Sequence, residues 1–313
     1  MRSVIIDCDP GHDDALALLL ALSSEDLDVL LVTATAGNQT VDKTLRNAMR
    51  MVSLAGRRIE VARGAEASLT GNAEPAVINH GESGLDGPEI PEPDFPPSPR
   101  TALEAQKAVL EASPSPVTMI CTAPLTNAAI LLSAYPGLKR KIARIVLMGG
   151  ACFGGNWTPS AEYNIWLDTY AADIVFRSNV PITMCGLDVT LRAQIFDQER
   201  ERIRALGNRC GRIAAELLDY FHRSTTPWFL AAAGHVEGAH LHDVCAVAYA
   251  MRPELFLTKN LNVRIETAGR LTSGCTVVDY DGVCRLQPNA DVCFDIDRRG
   301  FIDLLSDGLG RLP

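Results

Sequence analysis

Six apolar, β-branched runs, at 3–7, 27–35, 59–62, 116–121, 142–148 and 180–185, alternate with helix-like segments at 13–22, 41–55, 101–112, 125–134 and 168–178. The runs carry Val, Ile and Leu at successive positions instead of alternating with polar residues, so both faces of each strand must be covered. Helical crossovers between such strands are what parallel pairing requires. The pattern predicts an α/β protein: a single-domain, mostly parallel open sheet flanked by helices and spanning 1–313. With 313 residues the chain can bury a sizeable core, and no internal repeat or clear linker divides it. The second half reads as more helical, with helices at 195–206, 211–223, 239–251 and 298–307 and short strands near 254–265 and 274–279. Residues 64–100, rich in Gly, Pro and acidic side chains, read as one long loop, and loops of that length in compact folds are usually functional or disordered.

Four polar clusters each follow a strand-like run and precede a helix. They are DCDPGHDD (7–14), GNQT (37–40), TAPLTN (122–127) and GGACFGGNWTPSAEYN (149–164). In open parallel sheets such segments converge at the carboxyl ends of the strands, where ligands bind. Residues far apart in the chain are thus expected in one crevice. In the first cluster Asp7, Asp9, Asp13 and Asp14 crowd into eight positions. Two carboxylates about 4 Å apart repel by about 4 kcal/mol at an effective dielectric of 20. A helix N-terminus returns only about 0.3–1 kcal/mol per charge. Such a group must protonate, distort or recruit a cation, and a hard divalent ion with oxygen ligands resolves the conflict. Zinc spacing of His and Cys is missing, so Ca²⁺ or Mg²⁺ is favoured. One or two of the aspartates also suit plain helix capping.

Composition narrows the partners. A net charge of −9 with no basic run argues against nucleic acid, and no apolar span is long enough for a membrane. The partner is expected to be a small molecule. The N-terminal MRSVIIDCD lacks a signal-peptide core, and nine cysteines without CxxC spacing read as reduced thiols, so a cytoplasmic location is expected.

DCDPGHDDALA resembles the D-x-D-P-G-x-D-D signature of the inosine–uridine nucleoside hydrolase family. The likeness continues in order through GNQT, HGESG (80–84), LTN (125–127), VLMGG (146–150), NWTPSAEYN (156–164) and LHDVCAVAY (241–249). The NWTPSAEYNI stretch is especially similar to the bacterial ribonucleoside hydrolases that prefer pyrimidines. The resemblance implies a nucleoside hydrolase-like fold with a Rossmann-like core and Ca²⁺-dependent hydrolysis of ribonucleosides to free base and ribose. It implies Asp9, Asp14, the Thr122 carbonyl and Asp243 as metal ligands, and Asp13 as the general base for the attacking water. Asn38, Asn156, Glu162 and Asn164 match ribose-holding residues, and Met148 a sugar-pocket residue. His80 and His242 flank the base pocket, with His242 a candidate proton donor to the leaving base. A homo-oligomer, tetramer or dimer, is also implied.

Duller roles compete: Asn38 and Asn156 as turn residues, Glu162 and Asn164 as caps of the helix near 168, Asp243 as a helix N-cap. His12, His222, His235 and His240 receive no role, and Tyr163, Trp157 and Trp166 read as packing. Trp228 and Phe229, in the stretch YFHRSTTPWFLAAAGHVEGAHLHD, either stack on a base or bury under a loop. Two rival functions are a broad inosine–uridine hydrolase and a non-catalytic ribose or nucleoside sensor; Asp13 argues against the latter, since a sensor needs no base. A Mg²⁺ phosphotransferase of the haloacid dehalogenase type is suggested only by Asp7-Cys8-Asp9, without its downstream partners.

Overall fold

The structure, a computed structural model, describes residues 1–72, 74–233 and 238–313, the side chains of 226–233 excepted. Along the chain, β1 (Arg2–Cys8) leads into α1 (His12–Leu22), β2 (Leu27–Ala34) into α2 (Val41–Leu54), and β3 (Val61–Arg63) is followed by the short α3 (Val77–His80) and by α4 (Ala102–Ala112). Next come β4 (Val117–Cys121), α5 (Thr126–Ala134), β5 (Ile142–Met148), α6 (Tyr163–Leu167), α7 (Thr169–Phe176), β6 (Ile182–Cys185) and α8 (Leu187–Thr190). The remainder holds β7 (Gln194–Ile195), α9 (Asp197–Arg204), α10 (Arg209–Ala233), β8 (Ala239–His240), α11 (His242–Met251), β9 (Phe256–Leu261), β10 (Val263–Ile265), β11 (Thr276–Val278), β12 (Ala290–Ile296) and α12 (Arg298–Gly310).

The described residues form an eight-stranded sheet in the order β3-β2-β1-β4-β5-β6-β12-β9, parallel throughout except at β9. Order reverses between β1 and β4, the switch point where a crevice opens beyond the carboxyl ends of the strands. The register makes those ends level: Asp7 pairs with both Thr33 and Cys121. Side chains of β1 alternate between two apolar layers, Val4, Ile6 and Cys8 facing one and Ile5 the other. Helix α1 is buried along its whole length in the first layer, which explains its uniformly apolar sequence after Asp14.

Four readings need correction. β12 was not anticipated: ADVCFDI mixes polar and apolar positions, which suits a strand bonded to parallel β6 and antiparallel β9 near the sheet's edge. The stretch 64–100 contains α3, which carries His80 into the crevice. Residues 239–240 belong to a two-stranded ladder with β7, so the helix there starts at His242. Helix α10 runs ten residues past the expected end at 223. Trp228 and Phe229 lie outside the described side chains.

Candidate active site

A cleft of about 100 Å³ opens at the switch point. Its lining includes Asp13, Asn38, His80, Thr122, Met148, Asn156, Glu162, Asn164, His242 and Asp243. Asp9 and Asp14, the other two residues singled out in the sequence, are fully buried at its floor. Asn38 ties both to the cleft: its backbone N–H donates to Asp9 Oδ2 (2.7 Å) and its Nδ2 to Asp14 Oδ2 (3.1 Å).

The floor is built from three chain segments. Gly11 N–H and Thr122 Oγ1 donate to Asp14 (3.1 and 2.7 Å), fixing a carboxylate in the first turn of α1. Asp243 enters from the first turn of α11. Oxygens of Asp13, Asp14 and Asp243 lie within 4.8 Å of one another. The charges facing these groups are mainly one another. Burial, then Asp14, pushes Asp13 up to about 7, and burial followed by Asp13 and Asp14 pushes Asp243 well above the carboxylate range. Asp9 is raised likewise, by burial and then Asp14. Its Oδ1 is buried with no hydrogen-bond partner among the described residues. A buried orphan carboxylate oxygen beside three crowded carboxyls is a costly arrangement unless a cation compensates it. The available donors are oxygens: Cys8 Sγ points to the Thr33 carbonyl (3.6 Å), and His242 Nδ1 is taken up by Thr190 Oγ1 (2.8 Å). The set therefore fits a hard divalent ion.

The walls offer hydrogen-bonding groups already held in place. Glu162 caps α6, accepting the N–H groups of Asn164 (2.9 Å), Gly150 (2.9 Å) and Ile165 (3.2 Å); burial nevertheless raises its carboxyl to about 7. The capping alternative does not hold for the helix near 168, which Asp168 caps at the Ala171 N–H (3.1 Å); Glu162 caps the short α6 instead, Asn164 lies inside α6, and both still line the cleft. Asn164 Nδ2 donates to the Thr122 carbonyl (3.1 Å) and the Met148 carbonyl (3.3 Å), bridging the ends of β4 and β5. Asn156 Oδ1 accepts the Tyr163 N–H at 3.0 Å. Burial, then His240, lowers His242 to about 3; burial, then His12, holds His80 well below the imidazole range. Both are neutral donors or acceptors at pH 7.

Several lining residues were not anticipated. Tyr163 and Trp157 pack as read, in one cluster with Trp166, Ala76 and Leu167, and both also line the cleft. Tyr163 Oη reaches the carbonyls of Gly37 (2.7 Å) and Glu74 (2.8 Å), pinning two loops together. Phe221 and Thr225, one turn apart on α10, and Ala76, Ile78 and Asn79 close the outer side.

The family model for inosine-uridine preferring nucleoside hydrolases matches residues 4–303. The chain belongs to that family. It is 52% identical over 309 residues, covering 98% of this chain and 97% of its counterpart, to a pyrimidine-specific ribonucleoside hydrolase RihA of Citrobacter koseri, and equally to one of Escherichia coli O1:K1. Among solved structures, a purine-preferring ribonucleoside hydrolase from Gardnerella vaginalis superposes with a TM-score of 0.91 at 31% identity, covering 99% and 98% of the two chains. The chain is therefore an enzyme, a nucleoside hydrolase with an α/β fold, and the haloacid dehalogenase alternative falls away. Its buried aspartate cluster fits the metal dependence of nucleoside hydrolases. Among the described residues no helix is long and apolar enough to cross a membrane.

Proposed function

We propose that this nucleoside hydrolase cleaves the N-glycosidic bond of pyrimidine ribonucleosides, uridine and cytidine, using Ca²⁺. The convergence of Asp13, Asp14 and Asp243 at the floor of a cleft walled by Asn and Glu side chains carries the reading. The 52% identity to pyrimidine-specific relatives supports the base preference. Asp9, Asp14, Asp243 and the Thr122 carbonyl would hold the ion. Bound there, Ca²⁺ supplies charge compensation, a more acidic water and a grip on vicinal hydroxyls.

The remaining work belongs to the chain. Bond cleavage leaves positive charge on the ribose, and buried carboxylates beside the ring stabilise it. Asp13, set against Asp14 and Asp243 at the floor of the cleft, takes the proton of the attacking water. Asn38, Asn156, Glu162 and Asn164 hold the ribose hydroxyls, Met148 packs on the sugar, and His80 and His242 meet the base. Because Asn164 and Glu162 are already anchored by backbone groups, little ordering is required when ribose binds. A cytoplasmic location, expected from nine cysteines without CxxC spacing, is part of the same reading. A homo-oligomeric state is part of the same reading.

Ribose release from uridine, cytidine, inosine and 2′-deoxyuridine tests the proposal. Uridine and cytidine should exceed inosine. The deoxynucleoside should be slower by about 10⁴-fold or more, because a site built to bond the missing hydroxyl is left with unpaired groups. Equal rates on uridine and 2′-deoxyuridine would show that the diol is not held.

A further inference from the structure

Thr190 is the last residue of α8 and is fully buried. Threonine hydroxyls in helices commonly bond back to the carbonyl four residues before them. Thr169 and Thr225 do so here, to Ile165 (3.2 Å) and Phe221 (2.7 Å). Thr190 does not. Among the described residues its Oγ1 has one hydrogen-bond partner, Nδ1 of His242 at 2.8 Å.

That single contact decides which atom donates. A neutral imidazole offers one N–H and one bare nitrogen, and a hydroxyl can meet either. Were the proton on His242 Nδ1, the buried Thr190 O–H would have no acceptor, and an unmade buried donor is costly. With Thr190 O–H as donor, His242 Nδ1 accepts and the ring proton resides on Nε2. Nε2 is then the nitrogen left for a ligand in the cleft that His242 lines.

The backbone holds the two partners against each other. Leu187 N–H donates to the Gly150 carbonyl (2.8 Å), and a Cβ on Gly186 would lie 2.8 Å from that same oxygen, so α8 starts pressed on the turn after β5. Gly150 N–H donates in turn to Glu162 (2.9 Å). Beyond α8, Ala193 N–H donates to the Thr190 carbonyl (3.1 Å), and the Ala193 carbonyl accepts the N–H of Leu241 (2.9 Å), the residue before His242. The His242 ring also stacks with His240 (5.7 Å, 27° between planes).

We propose that Thr190 is a positioning residue that holds His242 with Nδ1 inward and Nε2–H toward the cleft, so that His242 meets the leaving base as a hydrogen-bond donor. This rests on the hydrolase reading of the cleft. When C1′–N breaks, the electron pair leaves with the base and spreads onto its carbonyl oxygens. The water oxygen bonds to C1′, one water proton passes to Asp13, and a proton from solvent finally neutralises the base. A donor held toward the base stabilises that departing pair.

Wild-type protein gives the first test. Long-range ¹H–¹⁵N spectra of the full chain with labelled histidine, assigned with His242→Gln, should show His242 protonated at Nε2 and bare but hydrogen-bonded at Nδ1. A His242 proton on Nδ1 would overturn the proposal. The second test sets Thr190→Val, which keeps the shape and removes the hydroxyl, against Thr190→Ser, which keeps the hydroxyl and removes a methyl. With uridine, Thr190→Val should lower kcat about five- to tenfold with KM within about twofold, and Thr190→Ser should keep kcat within about twofold. With p-nitrophenyl riboside, whose leaving group departs unaided, the Thr190→Val loss should shrink to about twofold or less. In a His242→Gln background that loss should vanish. Unchanged uridine turnover in Thr190→Val, equal losses in the two Thr190 variants, equal losses on the two substrates, or a loss that persists without His242 would each reduce Thr190 to packing. Wild-type protein inactive on both substrates would instead remove the hydrolase reading, with the His242 spectrum reporting separately on the ring.

Discussion

Asp13 and Glu162 are both fully buried carboxyls held near 7, yet their neighbours divide their tasks. Glu162 is surrounded by backbone N–H groups, a setting that anchors it, whereas Asp13 faces Asp14 and Asp243 and is poised to exchange a proton. Replacing Asp13 with Asn should lower kcat for ribose release by about 10²–10⁴-fold, the usual worth of a positioned base. A calcium-induced rise in melting temperature should persist in that variant if Asp9, Asp14 and Asp243 are the principal ligands, and calorimetry checks it. The candidates in 7–14, 37–40, 122–127 and 149–164 were legible at this scale because each cluster follows a strand, where sequence pattern predicts convergence, whereas His80, Met148, His242 and Asp243 were pointed to only by the family resemblance. Tyr163 was not, because its contacts to Gly37 and Glu74 join segments with no shared local pattern.

Among elements, the turn leaving β2 is the most tightly constrained. A Cβ on Gly37 would lie 1.9 Å from Asp9 Oδ2, and Asp9 has no room to retreat. Gly37→Ala should therefore weaken calcium binding by about 10- to 100-fold, a typical cost for disturbing a ligand's support, with the fold retained. Isothermal titration measures the affinity and circular dichroism the fold. The parallel strands and their crossovers were readable because their apolar runs are short, uniform and bounded by turn residues. β12 was not, because its polar positions suit a strand near the sheet's edge and imitate a loop. Helix α10 was cut short in the reading, and its cleft-facing side, Phe221 and Thr225, emerges only from tertiary packing.

For the molecule as a whole, the crevice at the strand-order reversal gathers more carboxyls than a metal-free fold can ionise together. Asp13 and Glu162 have folded-state values near 7 against ordinary values of 3.8 and 4.5. Each therefore favours folding while protonated: in metal-free protein the contribution is complete below about pH 4 and is lost as pH rises through about 7. Asp9 and Asp243 shift in the same direction. Chelated protein should melt at progressively lower temperature between pH 4.5 and 7.5, and added Ca²⁺ should flatten the decline. A flat profile without metal would mean that the carboxyls are compensated by something else.

Ribose release from uridine by exhaustively chelated, metal-analysed protein, followed as Ca²⁺ is added back, probes the purpose of the aspartate cluster most directly. Turnover should be absent at first and should recover saturably with the ion. Full turnover with no metal present would contradict the assignment of those aspartates to a cation.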